Sequence, residues 1–377
     1  MSDSIRKAEA GDLDRLLELE QACFSTDRLS RRSFRRWLRH EHCVFLVAVD
    51  RKAQVQGYAL AVLRQGTRLA RLYSVAVDPA QRGRGLAAEL IAAAERGARA
   101  AGALYMRLEV ATGNQAAIKL YKRMGYRRFG LYRDYYDDHG DALRMEKIVH
   151  AYEEGQSRII PWFPQSTAFT CGPASLMMAM AALDKAYVPG HMDEIQIWRE
   201  ATTIFMTSGH GGCHPIGLAL AASRRGFSAS VRVNQHGPLF LEGVRDPNKK
   251  RVMSLVHDSF VAQAAQCGVD IDYGNVEQQA LIDAFNTGAS LLVLISTYRL
   301  DKKKAPHWVV VSGSDERCLF VQDPGYEIDI ATEPADAGLL AMDYQHIPIA
   351  REDFAAMSRF GASRLQAAVV LRREARA

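Results

Sequence analysis

The sequence predicts two domains of different class: an α/β domain over residues 1–150 and an α+β domain over residues 161–377, joined by a linker at residues 151–160. Three observations support this division. A chain of 377 residues is long enough for two hydrophobic cores. Residues 1–150 carry 27 Lys and Arg against 18 Asp and Glu, a net charge of +9, and the remaining 21 and 25 give the rest a net charge of −4. Strand and helix patterns alternate in the first half, whereas helix patterns precede most strand patterns in the second.

The composition excludes several classes of protein. It is ordinary for a globular chain. No apolar run is long and charge-free enough to span a membrane, and the N-terminus lacks an apolar signal segment. The six cysteines are scattered without close pairs, which predicts a reduced, cytoplasmic protein with no disulfide framework. The sequence leaves the oligomeric state open.

In the first half, apolar spacing predicts the elements in order. We expect strands at 5–8, 43–49, 55–63, 71–77 and 105–110, and helices at 12–23, 33–40, 88–100 and from Asn114 onward. Between the strand that ends at Val77 and the helix from residue 88 lies a turn with Gly83 and Gly85. Such a turn presents several backbone N–H groups to an anion. Taken alone, it is equally typical of a tight strand-to-helix connection.

The pattern Arg82-x-x-Gly85-x-Ala87 resembles the pyrophosphate-binding motif of the GNAT acetyltransferases. Leu-Glu109-Val, Asn114, Leu-Tyr121 and Gly125-Tyr126 resemble the second half of that family, so the resemblance covers about residues 4–148. It implies a mixed sheet flanked by helices, with acetyl-CoA as donor. The residues that it assigns to acetyl-CoA are Val75, Ala76, Val77, Arg82, Gly83, Arg84, Gly85, Leu86, Ala87, Asn114 and Tyr121.

This half is similar to the ribosomal-protein N-terminal alanine acetyltransferases, which implies a protein or peptide amine as acceptor. It also implies roles for two residues. Glu109 would take the proton of the acceptor ammonium through water, and the Tyr121 phenol would protonate the leaving thiolate. The alternatives are that Glu109 is a strand-end carboxylate in a salt bridge and Tyr121 a packed aromatic ring.

Residues 27–39 form the most basic stretch of the chain. One interpretation is capture of an acidic acceptor or of nucleic acid through charge. The other is a solvated helix face with Phe34, Trp37 and Leu38 turned inward. We favour the second, and expect no nucleic-acid partner, because no repeated basic-aromatic pattern extends the stretch.

The second half is organised around Cys171, which is followed by Gly-Pro and by an apolar run to Leu183. The run predicts a buried helix, so the thiol lies at the positive end of the helix dipole, which lowers its pKa. Gln165 can direct its amide at the oxygen of a tetrahedral intermediate. A base and an orienting residue are then needed, and His307 and Asp323 stand at the edges of strand-like runs. Other patterns predict helices at 192–203, 216–225, 251–267 and 276–286, and strands at 227–233, 291–297, 307–312 and 318–323.

The order Gln, Cys, His, Asp is similar to that of papain-like cysteine peptidases. Four stretches between residues 158 and 325 resemble the bacteriocin-processing peptidases, which cut leader peptides after double-glycine sites, although the sequence lacks that family's transporter portion: Cys171-Gly-Pro-Ala, Gly217-Leu-Ala-Leu-Ala-Ala with Gly226-Phe, His307-Trp-Val-Val-Val and Asp323-Pro-Gly.

The resemblance implies an α+β papain-like fold and a role for each residue. Cys171 would attack the carbonyl carbon, His307 would carry the proton, and Asp323 would orient the imidazole. Gln165 and the Cys171 N–H would form the oxyanion hole. A buried core cysteine and a surface histidine are the structural alternatives.

A second cluster, His210, Cys213 and His214, has close spacing but no evident fourth ligand, so we predict a Gly-rich connection beside the cleft and no metal site. Cys213 is a reserve nucleophile. Together, these patterns predict an N-acetyltransferase fused to a cysteine peptidase, both acting on one peptide or protein. Two alternatives remain open: the second domain only binds peptide, or the first domain senses acetyl-CoA and regulates the peptidase.

Overall fold

Each half of the chain is built around its own β-sheet. The computed structural model describes residues 4–25, 27–136, 138–149, 156–206, 209–302, 304–325 and 341–373. The chain divides into two compact units at residues 152 and 153. Residues 151–155 of the predicted linker lie outside the described residues. In the described part of the chain, no helix has the length and apolar content needed to span a bilayer.

The N-terminal unit is a mixed sheet flanked by helices, as predicted. Its strands lie in the order β1-β2-β3-β4-β5-β7-β6, in which β4 pairs with β5 in parallel and the other neighbouring strands pair antiparallel. Its elements are β1 (Ser4–Lys7), α1 (Leu13–Cys23), α2 (Arg31–Arg39), β2 (Cys43–Val49), β3 (Val55–Leu63), β4 (Leu69–Val77), α3 (Leu86–Ala100), β5 (Tyr105–Ala111), α4 (Gln115–Arg123), β6 (Arg127–Tyr132) and β7 (Ala142–Ile148).

Two apolar layers hold this sheet. Helix α3 packs against β2, β3 and β4, and buries Leu90 and Ile91 in one cluster. Helices α1 and α2 contribute Leu16, Phe34 and Trp37 to a separate cluster with β2 and β3. Apolar side chains spaced three or four residues apart produce one buried stripe on each helix, so this layering follows from the sequence pattern.

The C-terminal unit also combines a sheet with helices. Its strands lie in the order β10-β9-β15-β11-β12-β13-β14, and β8 pairs with β12. Its elements are β8 (Gln156–Ser157), α5 (Cys171–Leu183), α6 (His191–Ala201), α7 (Pro215–Ser223), β9 (Phe227–Val233), α8 (Pro247–Cys267), β10 (Asp270–Tyr273), α9 (Gln278–Asn286), β11 (Ser290–Ser296), α10 (Tyr298–Asp301), β12 (Pro306–Ser314), β13 (Cys318–Gln322), β14 (Ile347–Ala350), α11 (Arg351–Met357) and β15 (Ala367–Arg373).

Strand β15 was not predicted, yet it lies in the middle of the sheet and pairs antiparallel with both β9 and β11. Its residues are Ala-Ala-Val-Val-Leu-Arg-Arg, a short apolar run that ends in charges. Periodicity cannot identify such a run, because a strand buried on both faces has no alternation. β6, β7, β10 and β14 were missed as well, while the predicted elements recur with ends shifted by a few residues.

The N-cap of helix α7 is a buried histidine, His214, and its capping hydrogen bond requires a neutral ring. His214 Nδ1 accepts the N–H of Ile216 at 3.1 Å, and its Nε2 lies 3.1 Å from Nδ1 of His257. Burial, with a smaller effect of His257, lowers the pKa of His214 to about 3. A protonated Nδ1 could no longer accept the Ile216 N–H, so acid opposes this start of the helix.

We expect His214 to lower the free energy of unfolding as the pH falls. In the unfolded chain this histidine takes up a proton below about pH 6.5, while folded His214 stays neutral down to about pH 3. The contribution of neutral His214 to the free energy of unfolding is therefore full above about pH 6.5 and is lost as the pH falls below it. The loss between pH 7.5 and 5.5 is about 1.4 kcal/mol. His214→Asn, which keeps an acceptor for Ile216, should show a shallower pH dependence. Equal pH dependence in urea unfolding of the two proteins would contradict this. Tryptophan fluorescence would report the transition through Trp162, Trp198 and Trp308.

Candidate active sites

Helix α5 places Cys171 at its first position. Ala, Leu and Met make up most of α5, and these residues favour a helix and here fill the core on all sides. The preceding residue, Thr170, is the N-cap. One turn into the helix, Ser175 Oγ donates to the backbone oxygen of Trp308 at 2.9 Å. This buried hydrogen bond joins α5 to β12, next to His307.

Cys171, His307 and Asp323 lie together in the C-terminal unit. The His307 ring contacts Asp323 Oδ1 through Nε2 at 2.7 Å. The Cys171 thiol and the His307 side chain interact closely enough that each shifts the pKa of the other. Because Nε2 is engaged by the carboxylate, Nδ1 is the ring nitrogen that serves the sulfur. All three residues are buried, with exposed fractions of 7%, 9% and 4%.

The surroundings favour charges on both partners. Burial alone raises the pKa of the Cys171 thiol, but the hydrogen bond and charge of His307, with the Trp308 and Gly172 backbone, lower it overall. Burial lowers the pKa of His307, but the Asp323 carboxylate and the Cys171 sulfur outweigh it and raise the pKa to about 10. Both shifts favour a thiolate beside an imidazolium.

Asp323 is fixed from several sides. Its Oδ1 also accepts the N–H of Gly325 at 2.8 Å, and its backbone oxygen accepts Trp162 Nε1 at 2.7 Å. A Cβ at Gly325 would lie 2.9 Å from Asp323 Oδ1 and 3.1 Å from His307 Cε1. Glycine is therefore required at this position by space. Trp162 therefore holds the loop that carries Asp323.

Gln165 lies in the loop before α5. Its N–H donates to Pro324 O at 2.9 Å, and its Nε2 donates to Thr167 O at 2.9 Å. Among the residues that the structure describes, its Oε1 is buried and has no hydrogen-bond partner. The carboxamide thus retains an acceptor and a second amide hydrogen, which complement the N–H and C=O groups of a peptide.

The second histidine and cysteine cluster is dispersed. His210 packs on Phe169 and Trp198, whereas His214 turns to His257. In the described part of the chain, no group of three or more His, Cys, Asp or Glu is placed to hold a metal ion. Cys213 is buried beside Gly172, and burial with the Cys171 charge raises its pKa well above the usual range. That shift keeps its thiol protonated, which disfavours it as a nucleophile.

In the N-terminal unit, the Gly-rich turn adjoins a gap in the sheet. The parallel pairing of β4 with β5 runs only from Leu69 to Arg71 in the described strands, while β4 continues to Val77 and bulges at Tyr73. The two strands therefore separate at their carboxyl ends, beside the N-terminus of α3. Val75, Ala76 and Val77 form this end of β4, which pairs with β3 but, in the described strands, not with β5.

The turn over Arg82, Gly83, Arg84, Gly85, Leu86 and Ala87 fits an anion. Gly83 and Gly85 have φ of +81° and +84°, values that favour glycine. A Cβ at either would meet nothing within 4 Å, so both face open space. Gly85 is the N-cap of α3, whose first N–H groups have no partner within the helix. Open amides at a helix N-terminus, next to a gap between strands, suit a pyrophosphate with an extended tail.

Tyr121 and Asn114 both lie on the helix α4 side of this gap. The Tyr121 ring packs edge-on against Tyr126 with centroids 5.6 Å apart, and burial raises its pKa to about 12. A phenol with a raised pKa stays protonated and remains able to donate. Asn114 is the N-cap of α4, where its Oδ1 accepts the N–H of Ala117 at 3.1 Å.

Glu109 is held in an ion-pair cluster. Its Oε2 accepts from Arg71 Nε at 2.9 Å, and Arg144 Nε lies 3.9 Å from its Oε1. Arg71 also donates to the Tyr135 hydroxyl at 3.0 Å. The carboxylate side chain is 4% exposed. Glu109 is therefore paired with arginine, as the salt-bridge alternative expects. Sequence spacing gave no signal for Arg71, because its partner is 38 residues away.

The basic helix α2 has the solvated face that we favoured. Phe34 and Trp37 are buried and Leu38 is half-buried, while the arginines are exposed: Arg31, Arg32, Arg35, Arg36 and Arg39.

Comparison with known proteins assigns each half to a family. The family model described as "Peptidase_C39 like family" matches residues 160–372, and that of the "Acetyltransferase (GNAT) family" matches residues 13–126. An uncharacterized N-acetyltransferase of Methanocaldococcus jannaschii is 33% identical over 144 residues, which cover 38% of this chain and 90% of that one. A Bacillus subtilis protein described as a ribosomal protein bS18-alanine N-acetyltransferase is 27% identical over 143 residues, 38% of this chain and 93% of its own. The solved ribosomal-protein-alanine N-acetyltransferase of Brucella melitensis is 25% identical, covers 38% of this chain and 99% of its own, and has a TM-score of 0.34.

The charged pair predicts the reactivity of Cys171. Iodoacetamide should label Cys171 nearly as fast at pH 6 as at pH 7.5, because His307 keeps the sulfur ionised. The exposed thiol of Cys267 is an internal reference. Asp323→Asn should slow labelling at pH 6 by about tenfold or more, since the imidazolium loses its carboxylate. Mass spectrometry of the labelled peptides measures each rate. Slow labelling spread equally over the cysteines would contradict the pair.

Proposed function

The chain belongs to the Peptidase_C39 like family over residues 160–372 and carries a GNAT N-acetyltransferase domain ahead of it, and from this premise we propose a protein with two activities. The C-terminal unit cleaves a peptide bond with Cys171, His307 and Asp323. The N-terminal unit acetylates an amine of a protein or peptide. The observation that carries the peptidase proposal is the buried contact of His307 Nε2 with Asp323 Oδ1 at 2.7 Å, in a ring that also interacts with the Cys171 thiol.

In the cleavage step, Cys171 Sγ adds to the carbonyl carbon of the substrate, and the carbonyl oxygen takes the negative charge. The Cys171 N–H and Gln165 Nε2 are the donors that stabilise this oxygen. The C–N bond then breaks, and His307 gives its proton to the leaving amine. Water, deprotonated by His307, displaces the sulfur from the acyl group and regenerates the thiolate. Asp323 keeps the ring oriented throughout.

GNAT acetyltransferases use acetyl-CoA, and the cleft of the N-terminal unit fits this donor substrate. The amides of residues 82–87 bind its pyrophosphate, and Val75 to Val77 line the site of the acetyl group. Asn114 lies at the edge of the same gap. Tyr121 holds a proton at its hydroxyl and gives it to the departing thiolate, in keeping with its raised pKa. The donor supplies the acetyl group, which the acceptor amine receives.

The proton of the acceptor ammonium has a less direct destination. Glu109 takes it through water only when an oxygen is released from the Arg71 pair. We therefore propose that acceptor binding loosens this pair. Glu109→Gln should then lower kcat and leave the binding of acetyl-CoA unchanged.

The two activities have compatible chemistry. Cleavage of a peptide bond exposes a new α-amine, and an N-acetyltransferase consumes an α-amine. We propose that the product of the C-terminal unit is the acceptor of the N-terminal unit, so that both act in sequence on one peptide or protein.

A proteome-derived peptide library tests the sequence of steps. Incubation with the protein and acetyl-CoA should produce new peptide N-termini that carry one acetyl group, detected by mass spectrometry. Cys171→Ala should abolish the new termini. Equal acetylation of cleaved and uncleaved peptides would contradict the sequential scheme. Peptide binding without any cleavage by wild type would favour a binding module, and a cleavage rate changed by unconsumed acetyl-CoA would favour a sensor.

Tyr121→Phe tests the transferase separately. The variant keeps the ring that packs on Tyr126 but has no proton to give, so kcat should fall by about 100-fold, within the usual range for loss of an acid. Binding of acetyl-CoA, measured by calorimetry, should stay the same. Unchanged kcat in Tyr121→Phe would remove the hydroxyl from the mechanism and leave the ring as packing.

A further inference from the structure

Helix α6 carries a carboxylate whose burial needs a reason. Glu194, in the first turn, has an exposed fraction of 0%. Burying a carboxylate costs several kcal/mol unless its oxygens find partners. The helix dipole does not require it, because Asp193 in the same turn already supplies an acid at the surface, where it pairs with Arg225.

The buried oxygens of Glu194 reach out of the helix to the loop before the nucleophile. Oε1 accepts the N–H of Ser166 at 2.8 Å. Oε2 lies 3.3 Å from Nδ1 of His191, whose side chain is 70% exposed. A backbone N–H bound to a charged acceptor makes one of the stronger hydrogen bonds in proteins. Glu194 therefore anchors the Ser166 amide firmly to α6.

This anchor acts on the neighbouring residue. The Ser166 N–H belongs to the peptide unit that follows Gln165, and the peptide unit before Gln165 is held by its own N–H, which donates to Pro324 O at 2.9 Å. Both peptide planes around the Gln165 Cα are thus tied, one to α6 and one to the loop that carries Asp323. With both planes fixed, the direction of the Gln165 Cα–Cβ bond is fixed as well, and the contact with Thr167 O then holds the carboxamide.

We propose that Glu194 is a positioning residue that holds Gln165 in place for the oxyanion, a role that rests on the proposed peptidase function. Gln165 Nε2 gives one hydrogen to Thr167 O and keeps the other for the substrate oxygen. Loss of the Glu194 anchor frees the Ser166 peptide to rotate. A donor displaced by about 1 Å loses much of its effect on the rate.

Two probes separate this role from general support of the site. Acetyl-Gly-Gly-glycinal, a peptide aldehyde, accepts Cys171 Sγ at its carbonyl carbon, and its oxygen then occupies the oxyanion hole. Iodoacetamide loses iodide by displacement at a saturated carbon and uses no oxyanion donor. Glu194→Ala should lower the affinity for the aldehyde by about tenfold to 100-fold and leave the rate of iodoacetamide labelling unchanged. Glu194→Gln, which keeps an oxygen for Ser166, should restore most of the affinity.

Asp193→Asn is the matched control, since that carboxylate contacts Arg225 and not the loop, and both readouts should stay at the wild-type level. A double-mutant cycle with Gln165→Ala completes the test. If Glu194 acts through Gln165, the double variant binds the aldehyde as Gln165→Ala does. Should Glu194→Ala not fold, Glu194→Met fills the volume without an acceptor and carries the same expectation.

The outcomes are distinct. Wild-type affinity for the aldehyde in Glu194→Ala, or losses that add in the cycle, overturns the role of Glu194 and leaves the peptidase intact. A wild-type protein that forms no aldehyde adduct overturns the peptidase and the role of Glu194 together. Labelling and aldehyde binding that fall in parallel would show that Glu194 supports the whole site, which also contradicts positioning.

Discussion

The hydrogen bond between His307 Nε2 and Asp323 Oδ1 is the constraint on which the chemistry of the C-terminal unit depends. It commits one ring nitrogen and leaves the other for Cys171. The two residues stand at or just past the ends of β12 and β13, which pair with each other, so the sheet itself sets their separation. Gly325 then closes against both side chains. Strand pairing and the absence of a Cβ at Gly325 therefore hold the imidazole in the position from which it favours a thiolate at Cys171.

Both candidate sites use the start of a helix, in different ways. Helix α3 begins at Gly85, a residue without a side chain, so its amides stay open to an anion that diffuses in. Helix α5 begins with Cys171, whose own sulfur occupies the equivalent place near the helix end. The proposed activities would thus draw on the same backbone dipole, for a bound phosphate group in one unit and for the cysteine sulfur in the other.

Sequence patterns predicted the residues that chemistry demands by type and order, but not those that hold them. Cys171, His307 and Asp323 carry reactive groups in a recognisable series, so their meeting could be foreseen. Glu194, Arg71 and Trp162 act through partners 28, 38 and 161 residues away, and only the folded chain shows those partners. For Glu109 the sequence left two interpretations open, a base and a strand-end carboxylate in a salt bridge, and could not name Arg71 as its partner. Burial on both faces hid β15 from any periodic pattern.

The place of β15 has a consequence for how the C-terminal unit is made. A ribosome delivers β9, β11, β12 and β13 before β15, yet β15 is the strand that joins β9 to β11. Until it emerges, the sheet is two separate pieces with unpaired edges facing each other. Helix α5 packs against β11, β12 and β15, so its support is also incomplete. The nascent protein therefore carries Cys171 on a helix with incomplete support, and the candidate site is complete only after a strand far along the chain has emerged.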